Sequence, residues 1–212
     1  MHVTYLHFPS LPREIEEKIL FLADNSTQNY HSSEEFLNAT SQNNSDLNIS
    51  ASDEIIKALK NQKYDPKDSL GFHLSEVWSY FSDLAEFDFL EVSEEIKIWV
   101  QNNITEKIDH ISIQSMHGGK TITPHIDEMR KFAFNYIIDT GGDTSTCFWK
   151  PKKEFEHLKI YAQTVFPYDR LNLIEEIKIE KNRWHKLDTG QIHSVENLDP
   201  TKKRISLSLS VI

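Results

Sequence analysis

RISLSLSVI, Arg204 to Ile212, is the stretch whose reading decides the fold. Ile205, Leu207, Leu209 and Val211 fall on one side of an extended chain and Arg204, Ser206, Ser208 and Ser210 on the other, because successive strand residues point to opposite faces. The apolar side has to be buried. Two placements of the Arg/Ser side stay open. It meets water beside an ordinary core, or helices cover the apolar side and the Arg/Ser side turns into a barrel, where a lone guanidinium is costly unless it meets an anion.

Upstream, the same period of two runs back to about residue 110. His110, Ser112, Gln114 and Met116 alternate with Ile111 and Ile113, and Phe132, Phe134, Tyr136 and Ile138 alternate with Ala133, Asn135 and Ile137. Further strands are expected at Thr144 to Trp149, Leu173 to Ile179, Arg183 to Leu187 and Gln191 to Val195, with a short one ending at Asp127. Gly118, Gly119, Gly141, Gly142 and Gly190 punctuate them at turns. About eight strands suit a β-sandwich or barrel. The charged and aromatic segment Pro151 to Arg170 is long for a connection and is expected to be a substrate-side loop.

The first half has a helical period. After a short strand at Val3 to Phe8, Pro12 suits the first position of a helix carrying Leu11, Ile15, Ile19 and Leu22 on one face. Residues 25–53 are rich in Asn, Ser, Thr and Asp and bury too little to repay ordering, so an exposed loop is expected. Ser52 and Ser93 suit helix N-caps, the second leading into Ile96, Trp99 and Val100, and another helix is expected near 74–84. The organisation expected is one domain over 1–212. A helical buttress occupies 1–105 and a β core with the functional site occupies 106–212. Trp149 and Trp184 read as packing.

Composition narrows the partners. The chain has 212 residues, 38% hydrophobic and 26% charged, with a formal net charge of −10. That balance argues against neutralising phosphates, so no nucleic-acid partner is expected and the prime substrate is expected to be neutral or basic. Cys147 is the single cysteine, which excludes an internal disulfide and suits a reducing, cytoplasmic setting. No apolar run is long enough for a membrane span, and MHVTYLHFPS lacks a signal-peptide pattern.

Within GGKTITPHIDEMRKFAFNY, Gly118 to Tyr136, His125 and Asp127 lie two apart on a strand and face the same way, so both can close on one cation. His193, just before the Arg204 strand, would supply a third ligand. Two His and one carboxylate with open positions form a facial triad. His117 and His185 have no carboxylate two residues on and read as non-ligands.

The order Pro124-His125-Ile-Asp127 followed by Arg130, then His193-Ser-Val-Glu-Asn197, then Arg204-Ile-Ser206, resembles the Fe(II)- and 2-oxoglutarate-dependent oxygenases over residues 95–212. The likeness is to the aspartyl/asparaginyl β-hydroxylase-like and prolyl-hydroxylase-like branches, though the former can lack the carboxylate present here as Asp127. The resemblance implies a double-stranded β-helix, or jelly roll, backed by N-terminal helices, an α+β chain with a mainly β core. It implies Fe(II) on His125, Asp127 and His193, and 2-oxoglutarate with its distal carboxylate on Arg204 and Ser206. Gln114, Asn135, Tyr136 and Ser112 are further co-substrate candidates. O2 would oxidise an unactivated C–H bond of a peptidyl residue or small molecule, with succinate and CO2 as co-products. Arg130, a rival anchor, reads as a surface or substrate-side charge. Two alternatives remain: a cupin-type metalloenzyme, although no H-x-H is present, and a non-catalytic barrel that binds a carboxylated ligand or a protein partner.

Overall fold

A computed structural model describes residues 2–25, 86–127, 130–152, 158–160, 163–166 and 168–211. β12 (Arg204–Val211) is central in its sheet, which runs β1 (Val3–Tyr5), β10 (Trp184–Asp188), β5 (Phe132–Thr140), β12, β3 (Ile108–His117), β2 (Glu86–Leu90). The facing sheet runs β7 (Leu158–Ile160), β8 (Gln163–Val165), β4 (Ile122–Asp127), β11 (His193–Glu196), β6 (Ser145–Pro151), β9 (Leu171–Ile177). All these pairings are antiparallel. The result is a double-stranded β-helix, two sheets closed over a shared interior with helices outside the first.

The helices decide which way β12 faces. α1 (Arg13–Asp24) and α2 (Glu94–Asn103) put Ile15, Ile19, Ile96 and Val100 into one cluster with Ile113, Phe134, Tyr136, Trp184, Ile205, Leu207 and Leu209. Leu207 and Leu209 are fully buried, and each such side chain contributes about 1.5–3 kcal/mol on transfer from water. Lys18 of α1 and Glu95 of α2 form an ion pair that ties the two helices together. Because the apolar face of β12 is covered, Arg204, Ser206 and Ser208 turn inward. Of the two placements open from the sequence, the barrel-facing one is realised.

Several expectations shift. The described residues hold twelve strands instead of about eight. The N-terminal half contributes β1 and β2 at opposite edges of the first sheet. Segment 151–170, expected as a loop, contains β7 and β8, and β8 pairs with β4 at His125↔Val165 and Asp127↔Gln163. β9 begins and ends two residues before its expected bounds. As an edge strand it leaves Leu173 and Ile174 about half exposed. Pro12 precedes the first helical residue, and Ser93 occupies the N-cap of α2 without a side-chain hydrogen bond to the helix. The polar loop after Asn25 and the helices expected near Ser52 and at 74–84 lie outside the described residues. No helix among the described residues is long and apolar enough to cross a membrane.

Candidate metal centre

β4 and β11 are hydrogen-bonded neighbours with His125 directly opposite His193. Between His193 and Val195 the register slips by one residue, and such an irregularity bends a strand and re-aims its side chains. The two imidazoles lie with ring centroids 4.3 Å apart. Each ring is held from behind: His125 Nδ1 lies 2.7 Å from the Thr123 carbonyl and His193 Nδ1 lies 2.9 Å from the Gln191 carbonyl. A carbonyl can only accept, so Nδ1 carries the proton in both rings and each Nε2 lone pair is free for a metal.

Asp127 completes the set. One ligand atom from each of His125, Asp127 and His193 lies within 4.8 Å of the others, and Asp127 Oδ1 is 3.4 Å from His125 Nε2. Burial pushes the Asp127 carboxyl up, but His125 and His193, in their protonated, metal-free forms, together with Arg130 outweigh it and hold the group well below the usual carboxylate range. Burial, reinforced by His125, takes His193 down to about 4, against the opposing pull of Asp127. An ionised carboxylate and a neutral imidazole are the protonation states that metal ligation requires. The residues therefore fit a divalent cation, and three protein donors leave coordination positions for an exogenous ligand.

Arg130 is part of this site. Its Nε donates to Asp127 Oδ2 at 2.8 Å and one terminal nitrogen donates to Ser208 Oγ at 3.0 Å. The expectation of a surface or substrate-side charge is thus corrected, since the partner is the candidate ligand itself. The i, i+3 spacing from Asp127 was the available signal.

The inner wall carries a second cation. Arg204 is 6% exposed, donates to Thr144 Oγ1 at 3.0 Å, and has no partner for its Nε among the described residues. Burial lowers its pKa to about 10, with no carboxylate among the described residues offsetting it. Gly141, at φ +68°, lets the chain pass this close, because a Cβ there would stand 2.8 Å from the Arg204 backbone nitrogen and 2.9 Å from its Cβ. Ser206 and Gln114 are cross-strand neighbours, and Asn135 lies between Ser208 and His185 in adjacent strands. His185 is fully buried with the Arg183 backbone beside its ring, and Asn135 Oδ1 is without a partner among the described residues. Burial, with the Arg204 charge behind it, takes His185 down to about 3.

Tyr136 does not join them. Its ring lies in the helix-side cluster 5.3 Å from Trp184, and its hydroxyl donates to Glu16 Oε1 at 2.9 Å. Asn135 and Tyr136 are consecutive on one strand, so only one of them can face the interior. Trp184 is buried with its indole N–H on the Pro9 carbonyl, and the Trp149 N–H donates to Ser194 Oγ.

No protein-family model and no curated protein matches this chain. Among solved structures it is similar to a mutant of Bacillus subtilis oxalate decarboxylase, with TM-score 0.34 and 10% identity over 61% of this chain and 26% of that one. It is also similar to oxalate oxidase bound to the substrate analogue glycolate, with TM-score 0.33 and 14% identity over 61% of this chain and 52% of that one. The chain therefore spans about a quarter and about half of these proteins.

The oxygenase expectation is corrected. The two structures named are an oxalate decarboxylase and an oxalate oxidase, not 2-oxoglutarate oxygenases. Fe(II), 2-oxoglutarate and O2 as cofactors are withdrawn, with the hydroxylase activity and its succinate and CO2. The physical reason lies in the donor set. Two imidazoles and a carboxylate specify a coordination pattern that several divalent metals accept. In the same way, a buried arginine specifies an anion without naming it.

Proposed function

We propose that this chain is a cupin-type mononuclear metalloenzyme acting on a small carboxylate, as a decarboxylase or, with an external two-electron acceptor, an oxidase. His125, Asp127 and His193 would hold the metal and Arg204 would take the carboxylate. The observation that carries the reading is the convergence of two buried imidazoles and a mostly buried carboxylate inside a barrel whose inner wall also holds a guanidinium with no carboxylate partner among the described residues. Two inner-wall atoms, Arg204 Nε and Asn135 Oδ1, lack a hydrogen-bond partner among the described residues. Left unsatisfied, each costs roughly 1–3 kcal/mol, so a polar occupant is favoured. A divalent ion, when bound, polarises a carboxyl or carbonyl oxygen as a Lewis acid. The protein's part is orientation: the carbonyls of Thr123 and Gln191 fix the imidazoles, Arg204 receives the anion, and Ser206, Gln114 and Asn135 offer neutral hydrogen bonds around it. Residues 1–212 form one domain in this reading, and the single buried Cys147 suits the cytoplasm.

The test strips the protein with a chelator, titrates Mn(II), Co(II), Ni(II) and Zn(II) calorimetrically, and then screens short mono- and dicarboxylates by thermal shift and by CO2 and product analysis. One of these ions is expected to bind stoichiometrically, with a carboxylate raising Tm and being consumed. Absence of stoichiometric metal binding overturns the proposal. Metal binding without any carboxylate response turns it into a non-catalytic metal-binding barrel.

A further inference from the structure

We infer that Arg130 is a positioning residue for the metal centre: it clasps the Asp127 carboxylate so that a single oxygen is presented to the ion. The inference rests on reading His125, Asp127 and His193 as metal ligands. The two oxygens of Asp127 have different partners. Oδ1 faces His125 Nε2 at 3.4 Å, on the donor side, whereas Oδ2 accepts from Arg130 Nε at 2.8 Å. Both side chains are mostly buried, at 12% and 18% exposure, so the pair is screened less than a surface ion pair.

The guanidinium is itself anchored across the barrel. A terminal nitrogen of Arg130 donates to Ser208 Oγ at 3.0 Å and lies 3.5 Å from Ser210 Oγ. Asp127 belongs to one sheet and these serines to the other, so the fork spans both layers. The main chain is tied down at the same place. Thr189 Oγ1 donates to the Arg130 carbonyl at 2.9 Å, and the backbone nitrogens of Thr189 and Gly190 donate to the Lys131 carbonyl. Asp127 N donates to the Thr189 carbonyl at 3.1 Å. Ligand and clasp are therefore registered against a single turn.

The chemical consequence concerns denticity. A carboxylate can bind a cation through one oxygen or both. With Oδ2 held in a charge-assisted hydrogen bond, rotation to the two-oxygen mode requires breaking that bond, so one more coordination position stays open for an exogenous ligand. A lysine keeps the positive charge but lacks the planar fork that reaches Asp127 and Ser208 together.

The test uses the full chain with Mn(II) alone and counts exchangeable metal-bound waters by proton relaxation, alongside Mn(II) affinity and Tm. Wild type is expected to show about one more exchangeable water than Arg130→Gln, and the affinity of the variant is expected to differ by roughly 10–100-fold, as for other outer-sphere partners. Arg130→Lys, which retains the charge, is expected to show the same loss of water. If either folded variant keeps the wild-type water count and affinity, Arg130 is only a clip between the sheets and the inference is overturned. A wild type that takes up no Mn(II) or other divalent ion refutes the metal-centre reading instead, a separate result.

Discussion

Arg204→Met is expected to stabilise the ligand-free protein while abolishing its response to carboxylates. The guanidinium is held down to about 10 from an ordinary 12.5, with burial as the cause. At 1.36 kcal/mol per pKa unit this corresponds to about 3 kcal/mol of unfavourable charge burial. The sign follows from linkage. A cation whose pKa is lower in the folded state destabilises folding at every pH below the folded value, and relief comes only as pH rises past it, so the cost is fully present at neutral pH. The substitution also removes the 3.0 Å hydrogen bond to Thr144 Oγ1, worth about 1 kcal/mol, but Thr144 keeps its donation to the Thr140 carbonyl. The net gain is about 2 kcal/mol, or roughly 4–8 °C in Tm for a chain of this size. Scanning calorimetry on both proteins, with and without the carboxylate selected in the ligand screen, measures it. At 100-fold excess over Kd the ligand adds about 2.7 kcal/mol to wild type and nothing to the variant. An Arg204→Met protein less stable than wild type without ligand refutes the reasoning, since the cation must then have a compensating partner within the protein.

Two further predictions follow from the same wall. His185 is fully buried and sits at about 3, against an ordinary 6.5. Its unfolded form therefore binds more protons between those values, and the stability this group contributes above pH 6.5 is lost as pH falls toward 3. Between pH 6.5 and 5 the loss is about 2 kcal/mol. Urea unfolding of His185→Leu is expected to lack that increment, and a parallel pH dependence in both proteins counts against it. At Gly141, an alanine Cβ would stand 2.5 Å from Leu198 Cδ1 and 2.8 Å from Arg204 N at φ +68°. Gly141→Ala is expected to lower stability by about 2–4 kcal/mol, combining left-handed backbone strain with overpacking. A loss under 0.5 kcal/mol in urea unfolding shows that the turn yields freely.

Much of the candidate site's geometry was legible because strands make it so. His125 and Asp127 share a face by simple alternation, and the register His193↔His125 brings the third donor beside them. The alternation that separates Arg204 and Ser206 from Ile205 and Leu207 likewise names the residues of the inner wall. The same rule, applied strictly, removes Tyr136 from it, since Asn135 and Tyr136 cannot both face inward. The grip of Arg130 on Asp127 was less legible, because it depends on how the chain returns from β4 to β5 and on serines about eighty positions away. β7 and β8 escaped notice because three-residue strands have no period to detect, and their pairing is dictated by the free edge of β4.

Local periodicity by itself determined where this chain would be extended and which side chains would share a face, since that follows from backbone geometry at each residue. The tertiary structure alone decided which face meets the helices and which the interior. That choice depends on α1 and α2 offering Ile15, Ile19, Ile96 and Val100 as a cover for β12. It also decided that Arg204 lies buried with no carboxylate beside it among the described residues. The Asp127–Arg130 pair is local, at i, i+3, whereas the isolation of Arg204 arises only when strands far apart in sequence are brought together, and no local pattern encodes it.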